Sequence, residues 1–120
     1  MQSPPLKFTP HGLFIGGRWV APADGKHFTS INPSNMEKLG DIPAANEVDV
    51  DLAVKAAKAA FKEWSRVPIK ERARCLDLLA DRIEEHADEL ALLDAVDSGN
   101  AIVGMRGDMT WTADWFRYCR

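Results

Sequence analysis

This chain is poor in the residues that usually announce a chemistry. It has two cysteines and three histidines in 120 residues. Cys75 and Cys119 stand far apart, with no Cys-x-x-Cys spacing and no secretory context. That leaves no support for a zinc site or a disulfide framework, and both read as small packed hydrophobes. His11, His27 and His86 fall in different segments without ligand spacing, so no catalytic or metal role is assigned to them. No glycine-rich phosphate loop of the GxGxxG or Walker type occurs, and no serine or cysteine sits in a recognisable nucleophile context. No run approaches the ~20 apolar residues needed to span a membrane. The N-terminus has adjacent prolines at Pro4 and Pro5 and no apolar stretch of signal-peptide length. A soluble, cytoplasmic-type protein is expected, with no membrane partner.

Positive charge in excess is also missing. The chain carries 15 Lys and Arg against 18 Asp and Glu, for a formal net charge of −3. The acidic surplus is concentrated in residues 47–97, which reads as the wet face of helices. Nucleic-acid binding would need clustered Lys and Arg, and none is present. Consecutive acidic pairs such as Glu84-Glu85 and Asp88-Glu89 point in different directions around a helix, so they do not form a general-acid pair. No catalytic and no cofactor-binding residue is assigned within these 120 residues.

What is present is a clear order of elements. Residues 1–12 are expected to form a flexible arm. Leu13-Phe14-Ile15 and Arg18-Trp19-Val20 flank Gly16-Gly17, a two-residue connection that tolerates φ > 0 at both positions and predicts a hairpin. His27–Ile31 and Lys38–Ile42 flank the turn signal Asn32-Pro33-Ser34-Asn35 and predict a second antiparallel ribbon. A lone hairpin is marginal in water, so both ribbons need something to lie on.

The pattern then becomes helical. Asn46 and Asp49 resemble a capping box, with Asp where Glu or Gln is usual. Val50, Val54, Ala57 and Phe61 follow one face of the helix beyond it, broadened by Ala53, Ala56, Ala60 and Trp64. Pro68 opens a second helix with Ile69, Ala73, Leu76, Leu79, Ala80 and Ile83 as its stripe. A break is expected near His86, and Ser98-Gly99 supplies a stop. The last helix, within Ala101 to Arg120, carries Trp111, Trp115 and Tyr118 at i, i+4 and i+7, on one face. Gly104 and Gly107 each cost up to ~1 kcal/mol there relative to alanine, which weakens its first half. An aromatic face of that kind needs a cover. It suggests either the front part of a longer protein or a free-standing helical module that binds a partner through this face.

From Leu13 onward the chain closely resembles the N-terminal portion of the aldehyde dehydrogenase superfamily. The residues that carry the likeness are Leu13-Phe14-Ile15-Gly16-Gly17-Arg18-Trp19-Val20, Ser30-Ile31-Asn32-Pro33-Ser34 and Ile42-Pro43-Ala44-Ala45. They continue with Val48-Asp49, Ala60-Phe61-Lys62-Glu63-Trp64, Glu71-Arg72-Ala73-Arg74 and Leu79-Ala80-Asp81-Arg82-Ile83. Glu89-Leu90-Ala91, Asp97-Ser98-Gly99 and Phe116-Arg117-Tyr118 complete the series. Each piece alone is weak, and their order and spacing make the resemblance specific. Two departures are Asn100-Ala101, where the family commonly has Lys-Pro, and Tyr118-Cys119, where a Tyr-Tyr pair is frequent.

The resemblance implies an α/β fold, of which this chain would supply two N-terminal antiparallel β-ribbons followed by three to four α-helices. Residues 13–120 would be the N-terminal part of the coenzyme-binding domain. It implies oxidation of an aldehyde to a carboxylic acid with NAD or NADP, through a cysteine thiohemiacetal and thioester. The family's nucleophile, base and oxyanion asparagine match positions beyond Arg120, and Cys75 and Cys119 match none of them. A structural monovalent cation is also implied, held by the backbone of Ser30 and Ile31 and by Asp108. The implied partners are the aldehyde, the remainder of the protein's own chain, and further copies in a homo-dimer or homo-tetramer.

Overall fold

The computed structural model describes residues 11–120 in two compact units. Most of the expected flexible arm lies outside the described residues. The first unit runs to Ile31 and resumes over Glu37–Arg66, and the second joins Asn32–Met36 to Val67–Arg120.

In the first unit, β1 (Leu13–Ile15) and β2 (Arg18–Val20) pair antiparallel, with Phe14 opposite Trp19. Gly16 and Gly17 have φ of 61° and 79°. A tight turn with both central residues in the left-handed region matches the twist of the strands it joins. The Phe14 and Trp19 rings meet at 5.0 Å, and the His11 ring stacks on Trp19 at 4.9 Å. β3 (His27–Ile31) pairs antiparallel with β4 (Lys38–Pro43). Ser30 opposes Gly40 and Ile31 opposes Lys38, so Leu39 is the extra residue of a β-bulge.

α1 (Glu47–Trp64) follows. The Asn46–Asp49 capping box forms in full, although Asp stands at the third position. Gly16 lies close to the helix, where a Cβ would come within 3.8 Å of the Ala56 methyl. The expected apolar stripe, however, is open to solvent. Val50, Val54 and Phe61 are all exposed, and so is Trp64 at the helix end. Ala53 and Ala56 are only half-buried. Phe14, Trp19, Phe28 and Ile31 of the two ribbons are themselves exposed, so the ribbons leave this stripe uncovered.

The second unit is helical. α2 (Ile69–Glu85), α3 (Ala87–Ser98) and α4 (Ile102–Tyr118) pack with α4 against both of the others. Pro68 is the residue that caps α2 rather than its first turn, with φ −52° and ψ 140°. The break at His86 separates α2 from α3, as its backbone leaves helical geometry at φ −107° and ψ 15°. α3 stops at Gly99, whose φ of 79° places it in the left-handed C-terminal position that favours glycine. The buried side chains of this unit are Ala80, Ala91, Met105 and Ala113. Three of the four are alanines, so the seams are narrow and backbones approach closely. Ile69, Leu78 and Leu79 remain exposed along α2. Among the described residues no helix is long and apolar enough to cross a membrane.

Candidate functional site

The most distinctive surface of the molecule is one face of α4. Trp111, Trp115 and Tyr118 are 68 %, 55 % and 81 % exposed. Their rings stand edge to face in a row, with centroids 6.5 Å apart for Trp111–Trp115 and 5.7 Å for Trp115–Tyr118. Edge-to-face geometry suits the ring quadrupoles, and such a pair contributes ~0.5–1.5 kcal/mol beyond burial. Together with Asp114 the three rings line a shallow, largely apolar depression. Gly104 and Gly107 continue the same face toward the helix start, at helical spacing from Trp111. A Cβ at either glycine would meet nothing within 4 Å. The face is thus flat where the glycines lie and heavily apolar where the rings stand.

The opposite side of α4 is fixed by charge as well as by its small buried residues. The Arg117 guanidinium makes a fork with Glu84, Nη1 to Oε1 at 2.6 Å and Nη2 to Oε2 at 2.7 Å. Nη2 also donates to Asp81 Oδ1 at 2.9 Å. Arg120 pairs with Asp77, one turn before Asp81 on α2. Arg106 binds Asp88 at the start of α3, Nε to Oδ1 at 2.9 Å. Hydrogen bonds from Arg117 hold the Glu84 carboxyl below its usual value, and Glu84 and then Asp81 raise the Arg117 guanidinium above its own. Bidentate guanidinium–carboxylate pairing fixes geometry as well as adding attraction. It ties the last turn of α4 to α2 on the side away from the aromatic row. Nothing in the sequence signals these pairs, because partners 33 and 36 positions apart have no local pattern.

In the first unit the buried polar group is Asp49, which is 2 % exposed. Its Oδ2 accepts the Asn46 N–H at 3.0 Å, closing the capping box. Both carboxylate oxygens also accept the Ala23 N–H, at 3.0 and 3.2 Å. One side chain therefore satisfies the start of α1 and pins the loop between β2 and β3. The capping role is legible in the sequence, whereas the bond to Ala23 is not. Nearby, the Asp24 carboxyl lies below its usual value through the Lys26 backbone N–H and then the Lys26 ammonium. Asp41 is lowered by hydrogen bonds from Lys38 and Thr29 on the β3–β4 ribbon.

Ser30 and Ile31, two of the expected cation ligands, lie at the bulged end of β3, and Asp108 is exposed on α4 in the second unit. Backbone oxygens and one carboxylate are the donor set of a hard cation. Among the described residues no three His, Cys, Asp or Glu side chains gather to hold a metal. Cys75 and Cys119 are free and exposed, rather than packed as the small hydrophobes the sequence suggested. The described strands form two separate antiparallel pairs and no parallel βαβ unit.

Comparison with known proteins gives these surfaces a setting. A family model described as the aldehyde dehydrogenase family matches residues 19–120. Aminoaldehyde dehydrogenase 2 of Zea mays is 40 % identical over 98 % of this chain and 24 % of its own length. Aldehyde dehydrogenase family 2 member C4 of Arabidopsis thaliana is 45 % identical over 98 % of the chain and 24 % of its own. Among solved structures, PnpE in complex with nicotinamide adenine dinucleotide superimposes with a TM-score of 0.88 at 43 % identity, over 92 % of this chain and 23 % of that one. HpcC of Thermus thermophilus gives 0.89 at 39 %, over 92 % and 21 %. The chain thus spans about a quarter of the length of the relatives it matches.

Proposed function

This chain belongs to the aldehyde dehydrogenase family, and from that premise we propose that it is the N-terminal part of an enzyme that oxidises an aldehyde to a carboxylic acid with NAD or NADP. The observation that carries the reading is the match of nearly the whole chain to one quarter of enzymes of this kind. The open α1 stripe and the aromatic row of α4 support it, since both are apolar faces of the sort that a larger protein covers. In this reading the two ribbons and four helices are the outer shell of a coenzyme domain.

The chemistry would be done elsewhere in the longer protein. A cysteine thiolate would attack the aldehyde carbonyl, with an asparagine side chain steadying the oxyanion. Loss of hydride to the nicotinamide would leave a thioester for a glutamate-activated water to hydrolyse. The enzyme would act in the cytoplasm as a homo-dimer or homo-tetramer. What residues 11–120 contribute is position. Asp49 fixes the entry to α1, and the Arg117–Glu84–Asp81 clamp ties the last turn of α4 to α2.

The test is to extend the coding sequence beyond Arg120 and assay the product. A reading frame that continues for several hundred codons should yield a protein that reduces NAD or NADP only when an aldehyde is added. The 120-residue chain alone should give no reduction and should associate through its exposed apolar faces. A stop codon directly after Arg120, together with a monodisperse chain that unfolds cooperatively, would overturn the proposal.

A further inference from the structure

We draw no further inference here: the strongest candidate, the exposed aromatic row of Trp111, Trp115 and Tyr118 along α4 with Asp114 beside it, is an unpartnered helix face, and nothing in the structure shows what covers it.

Discussion

The two units solve the same problem by different means. The first has strands of three to six residues and one long helix, and its most buried polar group is a single carboxylate. Asp49 ties together a helix start and a loop 26 positions away. Among the described residues, the second unit has no buried polar side chain of this kind. It spreads its cohesion over alanine-lined seams and several ion pairs between α2, α3 and α4. A unit held at one point should fail at one point. A unit held along seams should lose stability in smaller steps.

The sharpest way to break that contrast is Asp49→Ala. Removing the carboxylate strands the Ala23 and Asn46 N–H groups and deletes a helix cap. The cost should be about 3 kcal/mol, combining a lost cap with unpaired backbone donors. Amide hydrogen exchange should speed up at Ala23 and Asn46 and through the first turn of α1. Unchanged protection at Ala23 would show that the loop is held by something other than this carboxylate.

In the second unit the largest effect should come from filling a seam. Ala113 is fully buried, so Ala113→Leu forces α4 away from its neighbours and should cost about 2 kcal/mol. A denaturant midpoint that does not move would mean that this seam has room to spare. Gly99→Ala comes next, at about 1 kcal/mol for placing a Cβ in the left-handed region. Its φ is 79°, and the new Cβ would sit 2.9 Å from Pro33 Cγ within the same unit. Both the backbone and the contact oppose it, and a crystal structure of the variant should show a shift at Pro33.

Two smaller changes sharpen the comparison from the other side. Gly104→Ala and Gly107→Ala should each stabilise the isolated chain by about 0.5–1 kcal/mol, because the Cβ would meet nothing and the helix gains propensity. The same substitutions in a longer protein provide a direct contrast. A gain in the short chain that turns to a loss in the long one would identify this face as a packed surface.

The smallest effect is acid sensitivity at the α2–α4 clamp. Glu84 is held below its usual value in the folded protein, so its share of stability is present above the ordinary glutamate range, about pH 4.3. That share is lost as pH falls through the lower folded value. Arg117→Met should abolish the depression, which a carboxyl NMR titration of Glu84 would read directly. An unchanged titration in the variant would assign the depression to another cause.

Much of the fold is legible in the residues because it is local. Gly16-Gly17 specifies a tight hairpin whatever surrounds it, since few other pairs accept φ > 0 twice. Asn46 and Asp49 announce the start of α1, and Gly99 announces the end of α3. The row Trp111–Trp115–Tyr118 follows from the helical repeat alone. Burial was less legible. The periodic stripe Val50, Val54, Ala57 and Phe61 marks a face that seeks cover, but periodicity says nothing about whether a cover exists within the same residues. Among the described residues none covers it, and the stripe is exposed.

The sequence by itself determined the order and type of the elements, their capping and their turns, and through the run of short family motifs the family to which the chain belongs. These properties depend on backbone preferences and spacings within a few residues. Only the tertiary structure decided that Asp49 reaches Ala23, that Arg117 grips Glu84 and Asp81, and that three alanines and Met105, rather than the leucines and aromatic rings, form the buried seams. Such pairings join residues tens of positions apart, and they exist only once whole helices and ribbons have been brought side by side.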